Sequence, residues 1–120
     1  MEKEVVITYE TLFEILRREK SREELQALPK NFAEEARKYL CDKRQTMLSL
    51  SKDQFSELEQ EKTQRQILNI KKILNELYEK REKKIINMAL NKSRIPKSVI
   101  DTAKFMPLEK ELYSKLVGML

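Results

Sequence analysis

A chain of 120 residues allows one domain and hardly a second, and its 33 Leu, Ile, Val and Phe residues, about 28%, suffice for a folded core. Charged residues reach 38%, net charge is +5, and there is no His, one Cys and one Gly. Those counts exclude histidine-based catalysis and metal binding, cysteine zinc cages, internal disulfides and glycine-rich phosphate loops. With one residue free to take positive φ cheaply, tight hairpins and all-β folds are excluded as well.

In chain order, Val5-Val6-Ile7 leads to Thr8, which is expected to cap a helix with Leu12, Phe13, Ile15 and Leu16 on its apolar face. That helix closes in the basic run Arg17-Arg18-Glu19-Lys20. Ser21 and Glu24 have capping-box spacing and predict a helix of a turn or two, stopped by Pro29. Asn31 and Glu34 repeat the signature and open a helix carrying Phe32, Ala36, Tyr39 and Leu40 as far as about Leu48. Cys41 follows that apolar face and reads as a buried or half-buried structural thiol. A joint is expected at Ser49–Asp53, with Ser51 or Asp53 as the next cap.

From Asp53 to about Asn91 there is neither Gly nor Pro, which predicts one helix roughly 58 Å long. A compact chain of this size is about 35 Å across, so the helix is expected to overhang its own domain. Its second half carries an apolar stripe through Ile67, Ile70, Leu74, Leu77, Tyr78, Ile85 and Met88. Glu57, Glu59 and Glu61 alternate by two, which turns them in different directions and makes them a solvated face rather than a metal site. A connector runs from Asn91 to Phe105, with a short turn expected at Ser98-Val99-Ile100. Pro107 suits the first position of a last helix striped by Leu108, Leu112, Leu116 and Leu120. The expected fold is therefore a single all-α domain over 1–120, a helical bundle built around one very long helix. Neither a secretory leader nor an apolar run near 20 residues is present, so a cytoplasmic protein without membrane contact is expected.

Arg81 stands on the long stripe where an aliphatic residue belongs. It is either a buried guanidinium paired with a carboxylate, or an edge residue whose stem covers apolar surface. Basic residues cluster at Lys80–Lys84 and Lys92–Lys97. Lys83, Lys84, Lys92, Arg94 and Lys97 are accordingly candidates for weak, nonspecific phosphate contact. The plainer reading is lysine enrichment toward a helix C-terminus.

The segments Ile7–Glu19, Ser21–Leu25 and Leu28-Pro29-Lys30-Asn31-Phe32-Ala33-Glu34 resemble the start of archaeal GINS subunits. Leu77-Tyr78-Glu79-Lys80-Arg81-Glu82-Lys83-Lys84-Ile85-Ile86-Asn87-Met88-Ala89-Leu90 resembles the long-helix segment of the members whose helical domain comes first, and Pro107–Leu120 is similar to the helix closing that domain. The resemblance implies a non-enzymatic DNA-replication subunit, without cofactor, that forms a tetramer with itself or a sister subunit. Its implied partners are the MCM helicase, a RecJ-like accessory protein and primase and polymerase factors, with nucleoid association. In such members a small β-rich domain follows; it is not within these 120 residues, and the expectation is that it was either cut away or is naturally missing. The subunit interface is expected on Ile67, Ile70, Leu74, Leu77, Tyr78, Arg81 and Ile85. Two other classes stay open: a small basic helical nucleic-acid-binding protein, and a coiled-coil adaptor outside replication.

Overall fold

The computed structural model describes residues 6–49, 54–97 and 99–120, with only the backbone described for 54–56. Among these the chain is all-α, with four helices and no strand: α1 (Tyr9–Ser21), α2 (Phe32–Ser49), α3 (Gln54–Arg94) and α4 (Pro107–Met119). The expected caps Ser51 and Asp53, together with Val5 and Ser98, lie outside the described residues. The 41 residues of α3 form a continuous helix, as the absence of Gly and Pro predicts. Two compact units are present: residues 1–14 with 29–75, and residues 15–28 with 76–120. Both α1 and α3 contribute to each.

In the first unit Thr8 caps α1 as expected. Its Oγ1 accepts the Thr11 amide at 3.2 Å, and Thr11 Oγ1 accepts the Thr8 amide at 2.7 Å, a reciprocal box with Thr in the place usually held by Glu or Gln. The buried side chains are Ile7, Leu12, Phe32, Ala36, Ile67, Ile70, Ile73 and Leu74. Two polar bonds tie α2 to α3, Lys43 Nζ to Gln66 Oε1 at 3.1 Å and Gln60 Nε2 to the Met47 carbonyl at 3.2 Å. Asn31 departs from the expected capping geometry. Its φ of 56° is left-handed, a conformation Asn tolerates, whereas an N-cap needs extended backbone.

In the second unit the expected helix after Ser21 does not form; residues 22–28 run without helix. Ser21 ends α1 instead, its Oγ donating to the Arg18 carbonyl at 3.3 Å. The reason is tertiary. Leu25 is buried in a cluster with Ile85 and Phe105, and carbonyls of this segment are taken by side chains of α3. Met88, Leu112 and Tyr113 pack on the same cluster, with the Tyr113 ring edge-on to Phe105 at 5.3 Å.

Pro107 opens α4 at its first turn, as expected. The predicted stripe holds only in its middle: Leu112 and Leu116 are half-buried, but Leu108 and Leu120 are exposed, and the buried residue of α4 is Glu109. Cys41 is also exposed, contrary to expectation. Five residues beyond buried Ala36 on a 3.6-residue helix, it falls well away from the covered side of α2.

Candidate functional site

The best-defined polar feature is a buried quartet of Glu19, Arg81, Lys84 and Glu109, all in the second unit. Arg81 and Glu19 side chains are 0% exposed, Glu109 and Lys84 11% each. The Arg81 guanidinium donates in a fork to Glu109, Nε to Oε2 and Nη2 to Oε1, both at 2.8 Å. Nη1 donates to Glu19 Oε1 at 2.7 Å and to the Gln26 carbonyl at 2.6 Å, and Nη2 donates also to the Lys104 carbonyl at 2.9 Å. Five N–H groups thus meet five acceptors, the full capacity of a guanidinium.

Lys84 completes the arrangement. Its Nζ lies 2.6 Å from Glu19 Oε2 and 2.7, 2.8 and 3.1 Å from the carbonyls of Glu19, Arg22 and Glu24. A cation here suits the unsatisfied carbonyls at the C-terminal end of α1. Glu19 Oε2 also accepts the Gln26 amide at 3.1 Å, and Glu109 Oε1 accepts the Met106 amide at 2.8 Å, which closes the start of α4. Two cations against two carboxylates leave the quartet neutral. No buried side-chain nitrogen or oxygen among the described residues lacks a partner.

Burial works against the charge on Arg81, but hydrogen bonding and attraction from Glu109, then Glu19, together outweigh it and raise the guanidinium above its ordinary value. It stays charged at any physiological pH. Saturated in this way, the quartet can pin the 22–28 segment and α4 onto α3; it has no donor left over to engage a substrate. An open cavity of about 450 Å³ in the first unit is bordered by Ile7, Asn31, Lys38, Tyr39 and Asp42. Its mixed charges define no ligand class.

Of the two readings of Arg81, the structure shows the buried, carboxylate-paired one. Ile67, Ile70, Leu74, Leu77, Arg81 and Ile85 are all buried by the chain's own residues, and Tyr78 is half-buried. The six buried side chains are internal packing, and of the seven expected at an interface only Tyr78 keeps exposed surface. Lys84 is likewise unavailable for phosphate, because its donors are taken by Glu19 and three carbonyls. Lys92 is half-buried and donates to the Pro96 carbonyl at 2.7 Å, while Lys83, Arg94 and Lys97 are exposed. Glu57, Glu59 and Glu61 are exposed.

Sequence reasoning missed both carboxylates. Glu19 follows Leu12 and Leu16 at helical spacing, which places it on the apolar face of α1 and not in a solvated basic run. Glu109 follows Phe105 by four and precedes Leu112 by three. Each is a charge on an apolar stripe, the same signal that singled out Arg81. Compared with protein-family models, with curated proteins and with solved structures, the chain finds no match in any of the three. Among the described residues no helix is long and apolar enough to cross a membrane.

Proposed function

We propose that this chain is a non-enzymatic scaffold subunit of the GINS type, which self-assembles or joins a sister subunit and presents docking surfaces to the MCM helicase and a RecJ-like partner. The observation that supports it most is α3. The segment Leu77–Leu90, which carries the strongest resemblance, lies wholly inside an unbroken 41-residue helix, and the similar closing helix begins at Pro107. Saturation of the buried charges agrees with a holding role and not a chemical one. Since the α3 stripe is used internally, subunit contact falls to apolar side chains left exposed, such as Phe13, Leu58 and Leu68 in the first unit and Leu108 and Met119 in the second.

Light scattering of the 14.4 kDa chain, alone and mixed with an archaeal sister GINS subunit, tests the assembly; addition of archaeal MCM then tests the docking. The expected result is a particle of tetramer mass that shifts again with MCM. A monomer-sized particle under every condition rejects the proposal. DNA binding by a chain that stays monomeric under every one of these conditions would point to a dedicated nucleic-acid-binding protein instead. Self-association without any MCM binding would point to an adaptor outside replication.

A further inference from the structure

The two units differ in charge. Residues 1–14 and 29–75 carry 11 basic and 11 acidic side chains, while residues 15–28 and 76–120 carry 14 and 9. The whole net charge of +5 therefore belongs to the second unit. Its buried quartet is neutral, so the excess is carried by the remaining side chains of that unit.

We propose that a polar stripe of α3 in this unit, formed by Lys80, Lys83, Asn87, Asn91 and Arg94, binds the phosphate backbone of nucleic acid. The five recur at three-, four-, four- and three-residue intervals, which sets them on one side of the helix, and all are exposed. The stripe spans about 21 Å. Glu76, which would head the row, is ion-paired with Lys20 at 3.6 Å. Glu79 and Glu82 fall to one side of it. Asn87 and Asn91 add neutral donors able to reach phosphate oxygens.

A polyanion with evenly spaced charges fits such a row. An anionic membrane fits it poorly, because an interfacial helix immerses an apolar face, and the apolar face of α3 here (Leu77, Ile85, Ala89) is buried in the protein. Without aromatic residues in the row there is no stacking platform, so contact is with the backbone and independent of sequence. Nothing in this inference depends on the scaffold reading.

The test is fluorescence anisotropy with a labelled DNA duplex at about 50 mM salt and upward. The wild-type chain is compared with Lys80→Glu/Lys83→Glu/Arg94→Glu and with a control of equal charge change on α2, Arg37→Glu/Lys38→Glu/Arg44→Glu, all exposed positions. Circular dichroism checks helicity, and the matching Gln triple serves if the Glu triple misfolds. The stripe variant is expected to lose roughly tenfold or more in affinity and to flatten the log–log salt slope by about 2.7, three phosphates' worth. The control is expected to stay within about threefold of wild type. The proposal is overturned if the wild type binds no duplex, if both triples lose equally, or if phosphatidylserine vesicles or polyglutamate bind as well as DNA.

Discussion

The first unit buries Ile7, Leu12, Phe32, Ala36 and four aliphatic residues of α3, whereas the second buries three charged side chains beside Leu16, Leu25, Leu77, Ile85, Ala89 and Phe105. One helix thus takes part in two kinds of packing. Apolar burial is non-directional and scales with area, so it tolerates changes that preserve volume. The ionic arrangement is directional: each donor has a named acceptor at a fixed distance, and the loss of one partner strands the others. The second unit gains definition of its 22–28 segment and of α4 in exchange for that intolerance.

The largest effect is expected from Arg81→Ala, which leaves Glu19 and Glu109 buried without their shared cation. Breaking a buried pair from one side typically costs about 3–5 kcal/mol, read as a lowered midpoint in urea. Arg81→Lys should restore less than half of the loss, since an ammonium cannot supply the fork to Glu109. Near-complete rescue by Lys would dissolve the contrast between the units.

Ile70→Ala probes the first unit at a fully buried position. A loss of about 2–5 kcal/mol is expected, falling to about 0.5–1.5 for Ile70→Val. That graded response by volume is what separates it from Arg81. A Val variant as damaging as the Ala variant would mean that shape, not area, governs there too.

In α4 the half-buried Leu112 and the exposed Leu108 make a pair for testing the helix's rotation. Leu112→Ala should destabilise by roughly 1–2 kcal/mol and Leu108→Ala by no more than about 0.5. Equal losses at the two positions in thermal melts would restore the stripe that the leucine spacing alone suggests, in which both are covered.

The smallest change is expected at Cys41. Cys41→Ser should alter stability by less than about 0.5 kcal/mol, and the native thiol should react promptly with an aromatic disulfide reagent. Protection until unfolding would show that this side of α2 is covered.

What was legible in the sequence follows this division. Thr8 as a cap, the span of α3 and Pro107 at the start of α4 rest on local chemistry, and the structure bears them out. Ser21-Arg22-Glu23-Glu24 has the local chemistry of a helix start and is not one, because Lys84, some sixty residues away in sequence, holds the Arg22 and Glu24 carbonyls and Arg81 holds that of Gln26 just beyond. The same long-range partnership turned α4, where Arg81 draws Glu109 inward and Leu108 is left outside. Arg81 itself could be singled out as anomalous, but its partners could not be named. A charge on an apolar stripe announces that a counter-charge exists without saying which of 20 carboxylates supplies it. Ile67, Ile70 and Leu74, expected at a subunit interface, are buried within the chain, and the expectation failed to foresee it for a related reason: periodicity identifies a face that must be covered and is silent on what covers it.

The quartet also bears on inheritance. Positions 19, 81, 84 and 109 lie on α1, α3 and α4, and substitution at one of them alone leaves buried charge behind. Such positions do not drift independently, since coupled sites penalise single steps that their double or triple replacements avoid. Descendants of a common ancestor with this packing would therefore hold all four charges or have lost them together. Glu, Arg, Lys and Glu at spacings of 62, 3 and 25 residues, loosened only by loop length, form a signature by which distant kin could be found after the rest of the sequence has diverged.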